Sequence, residues 1–246
     1  MLKTSSNRIG LITDVHYDGC AVALNRLFEK VSLLNTGGIE TLVVMGDLVN
    51  GETKTHARRM LREVSALFDV FKGQVHFMPG NHDLDYLSKA EFYNALGRAG
   101  DSSRFHFEAG GYTFICIDGN FSPDGTEYCA GNFDWKESFI PDGEIEWLRT
   151  RLAASLQPTI IISHQRIDKE TRFAVRNYDL IRNMISLTDK VAAVFQGHNH
   201  EDDLIQVDGT SYYTLSAHVD DAGPAVLELT PKGVRLIRDF QPLERM

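Results

Sequence analysis

Short apolar runs alternate with longer amphipathic stretches along most of the chain. RIGLIT (8–13), TLVVM (41–45), VHFM (75–78), YTFICID (112–118), TIIIS (159–163) and VAAVFQ (191–196) are rich in Val, Ile and aromatic residues. Continuous runs of this length fit strands buried on both faces. Leu24, Leu27, Phe28, Val31 and Leu34 lie on one face of a helix between the first two runs. Ala57, Met60, Leu61, Val64, Leu67, Phe68 and Phe71 form a second i, i+3, i+4 stripe before the third. Two more helices are expected near 142–154 and 179–187. After residue 200 the helical spacing stops. DLIQV, TSYYTLS, AVLELT and GVRLIRDF read as strands, with turns at Asp208-Gly209 and Lys232-Gly233, so antiparallel hairpins are expected.

This order places β-α alternation on a central sheet and ends in a β-rich section over 201–246. No repeat, low-complexity tract or Pro/Gly/Ser linker divides the chain, so one domain over 1–246 is expected. At 246 residues, 43% hydrophobic and 24% charged, it has the composition of a globular protein with a sizeable core. The net charge of −9 argues against long nucleic acid as a partner, because such binders carry basic faces. It leaves room for a small phosphate ester held by a local cation. No apolar run approaches the ~18 residues of a membrane span, and the run at 9–12 is too short for a secretion signal. Cys20, Cys116 and Cys129 are odd in number and lack CxxC spacing, so they read as small buried hydrophobes in a reducing compartment. A cytoplasmic location without membrane contact is expected.

The chemistry lies at the ends of the strands. GLIT leads to Asp14-Val15-His16, LVVM to Gly46-Asp47, and VHFMP to Gly80-Asn81-His82-Asp83. TIIIS leads to His164, and VAAVFQ to Gly197-His198-Asn199-His200. In open α/β sheets ligands bind beyond the carboxyl ends of the strands, so these side chains should share one crevice. Each motif alone is commonplace: a GD is a turn, and a single histidine is more often a satisfied polar residue. Five in succession, each directly after a strand, are not. Burying these Asp, Asn and His side chains together is costly unless cations offset it, and mixed N/O ligation suits Mn, Fe or Zn. The glycines at 46, 80 and 197 stand where backbone turns tightly beside a ligand.

Taken in order, DxH, GD, GNHD, H and GHxH over residues 14–200 resemble the motifs of the calcineurin-like metallophosphoesterases. The resemblance implies an α/β fold, a four-layer α-β-β-α sandwich with a dinuclear metal site at the carboxyl ends of its strands. It implies two metal ions as cofactors. By position, Asp14, His16, Asp47 and His200 would hold one, while Asp47, Asn81, His164 and His198 would hold the other, with Asp47 bridging. Two such cations activate water and clamp the attacking and leaving oxygens at phosphorus. His82 would lie beside them, stabilising charge or protonating the leaving oxygen. Asp83 either orients His82 or starts the next helix.

Two features bear on the substrate. Ser/Thr phosphatases of this superfamily continue the second motif as GDxVDRG, whereas this chain reads GDLVNGE. Asn50 therefore removes the carboxylate that supports the third-motif histidine in those relatives, which argues against a phosphoprotein substrate. The GDLVN and GNHD forms are more similar to small phosphodiesterases of the cyclic-nucleotide and glycerophosphodiester type, and to ADP-ribose/CDP-alcohol diphosphatases. The segment 119–141 is long for a structureless connection and carries Phe121, Tyr128, Phe133, Trp135 and Phe139. It reads either as a lid whose Trp135 and Phe133 stack a nucleobase or as a loop packing its own aromatics. Arg166 is a candidate phosphate clamp. His56, His76, His106 and His218 stand outside any motif and read as structural or surface residues. The expected activity is hydrolysis of a small phosphodiester or nucleotide-type diphosphate. A phosphomonoesterase with the same centre is the alternative within the class. A non-catalytic metal-binding scaffold is the alternative outside it, and it sits poorly with a complete ligand set.

Overall fold

The structure, a computed structural model, describes residues 7–241. Sheet one contains β1 (Arg8–Ile12), β2 (Thr41–Val44), β3 (Gln74–Phe77), β10 (Ala225–Thr230) and β11 (Gly233–Ile237), in the order β11-β10-β1-β2-β3. Sheet two contains β4 (Phe105–Ala109), β5 (Tyr112–Ile117), β6 (Thr159–Ser163), β7 (Val191–Gln196), β8 (Asp203–Val207) and β9 (Thr210–Thr214). Its order is β4-β5-β6-β7-β9-β8. The helices are α1 (Ala21–Thr36), α2 (Lys54–Phe68), α3 (Lys89–Ala95), α4 (Asp142–Ala154) and α5 (Tyr178–Ser186).

Alternation along the strands builds the layers. In β2, Leu42 and Val44 face α1 and α2, joining Leu27, Val31, Met60, Leu61 and Val64 in one buried cluster. Val43 and Met45 point the other way, to Phe114, Cys116, Ile160, Ile162 and Phe195 of sheet two. The outer face of sheet two gives Ile115, Ile117, Ile161 and Val194 to α4 and α5 through Ile145, Leu148, Ile181 and Ile185. Three apolar layers thus separate helices, sheet, sheet and helices. This is the expected four-layer sandwich.

The strands β1, β2 and β3 pair in parallel, as do β5, β6 and β7. Their carboxyl ends emerge on one side, where His164 Nδ1, after β6, lies 2.9 Å from the Met45 carbonyl, after β2. One bond thereby ties the two sheets together beneath the crevice.

Two elements escape the hydrophobic pattern. The seven-residue α3 is too short for a stripe, and its local signal is the capping box between Ser88 and Glu91. The edge strand β4 carries His106 and Glu108 on its exposed face, which breaks its apolar run. The last four strands form two antiparallel hairpins, β8–β9 and β10–β11, but the pair is split. β9 lies parallel to β7 in sheet two, while β10 joins sheet one antiparallel to β1. Of the cysteines only Cys116 is a buried hydrophobe; Cys20 and Cys129 are exposed, because both lie in surface loops rather than strands.

Candidate metal centre

The seven candidate ligands come from loops that leave five strand ends, and the backbone there is unusual. Asp14, His16, Asp47, His198 and His200 all have positive φ, between 46° and 66°. Left-handed conformations in non-glycine residues cost on the order of 1 kcal/mol each and collect at functional sites. Here they explain how residues two apart in DxH and HxH reach one crevice, where a regular strand would put both on one face, further along the sheet. The loops also press together closely. A β-carbon on Gly80 would sit 2.1 Å from Asp47 Oδ1, and one on Gly197 would sit 2.2 Å from Thr13 Oγ1.

Each carboxylate has one oxygen tied down and one left over. Asp14 Oδ2 accepts from the Thr13 hydroxyl at 2.5 Å and from the His198 backbone N–H at 3.1 Å. Asp47 Oδ1 accepts from the His82 backbone N–H at 2.8 Å. Asp14 Oδ1 and Asp47 Oδ2 are buried without a hydrogen-bond partner, and so are Asn81 Oδ1, His164 Nε2 and His198 Nε2. The imidazoles follow the same plan. His164 Nδ1–H donates to the Met45 carbonyl, His16 Nδ1 lies 2.8 Å from Asn50 Oδ1, and His200 Nδ1 lies 3.1 Å from Asp220 Oδ2. Each bond leaves Nε2 facing the crevice, the arrangement that fixes ring orientation for metal ligation. His164 Nε2 stands 3.2 Å from Asp47 Oδ2, His200 Nε2 3.5 Å from Asp14 Oδ1, and the Nε2 atoms of His16 and His200 are 3.1 Å apart.

Buried polar atoms are normally paired, so five orphans around one point call for a missing partner. The donor set, carboxylate and amide oxygens with imidazole nitrogens, fits divalent transition metals. Asp14, Asp47, His164 and His198 form one potential ligand group, and Asp14, His16 and His200 another. The two histidines of GHNH therefore fall in different groups. His82 also lies close enough to His16 and Asp47 to count as a third group.

Electrostatics carry the same mark. Burial alone would raise the carboxyl of Asp14, but the imidazoles of His16 and His200 close beside it hold it well below the usual range. Burial would likewise lower His16 and His164, yet Asp14 and Asp47 beside them lift both to about 9. His198, buried and facing His164, falls to about 3. Protons on His16 and His164 offset the two carboxylates where cations would otherwise stand.

The remaining candidates divide. His82 lines a cavity of about 330 Å³ together with Asp47, Trp135, Arg172, Phe173, His198, Asn199 and His200. Asp83 lies in the short 3₁₀ turn His82–Leu84, and its carboxylate does not reach the His82 ring. Its Oδ1 accepts from the Leu48 and Val49 backbone N–H groups and its Oδ2 from that of Gly80, so it locks the second and third motifs together. Burial and the charge of Asp47 raise its pKa to about 7. Arg166 is not an exposed clamp. It is 2% exposed and gives its guanidinium to Asp168 and Asp203, because the chain folds both carboxylates onto it. The loop 119–141 combines both readings. Phe133 stacks on Tyr128 with centroids 3.8 Å apart, against the core and away from the cavity, whereas Trp135 faces the cavity, edge-on to His198 and 5.8 Å from Phe173. Arg172 and Phe173 escape sequence reasoning because they sit in an irregular loop with no motif. Their nearness to His164 in the chain is the one available signal.

Three comparisons bear on this geometry. The family model of the calcineurin-like phosphoesterases matches residues 7–202. A manganese-dependent ADP-ribose/CDP-alcohol diphosphatase of Arabidopsis thaliana is 23% identical over 76% of this chain and 72% of that protein. Among solved structures, a dimetal phosphatase from Danio rerio superposes with a TM-score of 0.77 at 17% identity, covering 95% of this chain and 99% of that one. GAP50, described as the anchor in the inner membrane complex of Plasmodium, superposes at 0.65 with 16% identity, covering 93% and 82%.

Proposed function

The chain belongs to the calcineurin-like phosphoesterases, metal-dependent hydrolases of phosphoric esters, and within that family we propose that it cleaves a small phosphodiester or a nucleotide-type diphosphate. The observation that carries this reading is the ring of buried, unpartnered ligand atoms from Asp14, Asp47, Asn81, His164 and His198 beneath the 330 Å³ cavity. Asp14, His16, Asp47 and His200 would hold one ion and Asp47, Asn81, His164 and His198 the other, with manganese favoured by the Arabidopsis relative and iron or zinc compatible with the same donors. When bound, the pair supplies Lewis acidity that activates water and neutralises charge on the phosphoryl oxygens.

The protein's own groups do the rest. Asp47 holds the His82 backbone through Oδ1 while presenting Oδ2 to the centre. His82, at the cavity wall, stands ready to give a proton to the departing oxygen. Trp135 and Phe173 form an aromatic wall above His198 that suits a nucleobase. That wall, and the Arabidopsis diphosphatase, are what favour nucleotide-type substrates. The free thiols Cys20 and Cys129 suit a reducing, cytoplasmic setting, and no described helix is long and apolar enough to cross a membrane.

Elemental analysis after reconstitution should find two ions per chain, and chelation should abolish hydrolysis of bis-p-nitrophenyl phosphate. A panel of ADP-ribose, CDP-choline, cyclic nucleotides, glycerophosphodiesters and a monoester then fixes the leaving group. Hydrolysis of the monoester alone would replace the proposal with a phosphomonoesterase. Protein that binds no Mn, Fe or Zn would end both.

A further inference from the structure

His82 needs a partner to be useful. Its ring is 43% exposed at the cavity wall, and an unanchored exposed imidazole spreads over several rotamers. Phosphatases with GDxVDRG have a carboxylate where this chain has Asn50. That position is now otherwise engaged, since Asn50 Oδ1 takes the Nδ1 of His16. Asp83 is spent on three backbone N–H groups, and Asp47 Oδ1 holds the backbone of His82, not its ring. One carboxylate remains. Asp85 Oδ2 lies 3.0 Å from His82 Nδ1.

The local backbone brings this about. Residues His82–Leu84 form a 3₁₀ turn, closed by Leu84 N–H to the Asn81 carbonyl at 3.0 Å and Asp85 N–H to the His82 carbonyl at 3.3 Å. In 3₁₀ geometry side chains at i and i+3 eclipse, so residue 85 stands directly beside residue 82. The turn is anchored by the buried Asp83, which makes it a firm platform.

We propose that Asp85 is the positioning residue of His82, standing in for the carboxylate that Asn50 removes. By accepting the Nδ1 proton it fixes the ring and leaves Nε2 as the nitrogen offered to the substrate. As the bond between phosphorus and the leaving oxygen breaks, the Nε2 proton passes to that oxygen. The ring is left neutral with Nδ1–H still donated to Asp85, and solvent returns the lost proton. The inference rests on the phosphoesterase reading of the site. A partly exposed pair adds little to stability, so its value lies in orientation.

The test compares Asp85→Asn and Asp85→Ala in the manganese-loaded full chain, alone and combined with His82→Ala. Substrates are a p-nitrophenyl diester, whose leaving group needs no proton, and an alkyl diester, whose leaving group does. For the alkyl diester kcat should fall roughly 10–10²-fold with KM and metal content unchanged, as for loss of an orienting partner. The p-nitrophenyl diester should lose much less. On the His82→Ala background the Asp85 changes should cost nothing further, because two residues acting as one unit are not additive. Equal losses on both substrates, a further loss without His82, or loss of metal would each overturn the proposal. Ring ¹⁵N shifts of His82 in metal-free protein give a readout independent of turnover. They should show the Nδ1–H tautomer in the wild type and lose that preference in Asp85→Ala, and an unchanged spectrum would also overturn it. Should wild-type protein hydrolyse no phosphate ester, the phosphoesterase reading fails while the ¹⁵N measurement still decides the pairing.

Discussion

His164 and Arg166 leave the same strand two residues apart, and their side chains enter buried polar clusters of opposite kind. Around Arg166 the opposite charges are paired. Its Nε and terminal nitrogen bind Asp168 at 3.0 and 2.6 Å, the terminal nitrogen also reaches Asp203 at 2.7 Å, and Lys169 closes on Asp203 at 2.7 Å. Around His164, five ligand-type atoms are buried without a partner, on a backbone that is left-handed at five of the seven candidate ligands. Both clusters are built from charged residues, so composition does not separate them. Satisfaction does. A closed network joins the loop after β6 to the start of β8 and is finished as it stands, whereas an open one is strained and incomplete until something positive enters it.

The largest effect should come from Asp47→Asn, because Asp47 is the carboxylate that the proposed assignment shares between the two ions. Hydrolysis should fall by more than ~10⁴-fold and elemental analysis should find both ions lost or weakened, since that one carboxylate both faces the centre and holds the His82 backbone in place. His82→Ala should cost about 10²–10⁴-fold in kcat while both ions stay. If metal goes with it, the close grouping of His82 with His16 and Asp47 is itself a ligand set.

Breaking the closed cluster should give a different symptom. Arg166→Met leaves Asp168, which is fully buried, without its counter-ion, and should cost about 3–5 kcal/mol of stability by denaturant titration. Metal content and KM should hardly change. A raised KM without loss of stability would restore Arg166 as a phosphate clamp. Trp135→Ala should raise KM for a nucleotide substrate by an amount matching ~1–3 kcal/mol of lost stacking and leave a base-free chromogenic diester alone. Equal damage to both would make the wall mere packing.

The gentlest probe is pH on metal-free protein, where the clusters should respond at opposite ends. His16 and His164, lifted to about 9, contribute stability that is full below about pH 6.5 and lost as pH rises through about 9. Metal affinity should rise over that same span, because the imidazoles shed protons to bind. Asp203, lowered to about 2 by Lys169 and then Arg166, contributes stability above about pH 3.9 that disappears as pH falls through 2. A melting-temperature profile of metal-free protein with no alkaline decline would mean that the open cluster is not held together by protonated imidazoles.

The sequence alone determined the strands of the two sheets' parallel cores, four of the five helices and the motif residues that meet in the crevice. These are legible because each is local: a buried strand is a continuous apolar run, and a ligand loop is the few residues after it. Tertiary structure decided the rest. Which sheet a C-terminal hairpin joins depends on the partner its strand meets, β10 on β1 as with Leu11 and Ala225, and β9 on β7 as with Ala193 and Ser211. Whether Arg166 clamps a substrate or neutralises its own neighbours depends on Asp203, 37 positions on. That Trp135 meets Phe173, and that Asp220 rather than any motif residue steadies His200, come from loops folding over one another. Hydrophobic period reports which face of an element is buried, but it is blind to what that face meets, and for a polar side chain the meeting decides between structure and chemistry.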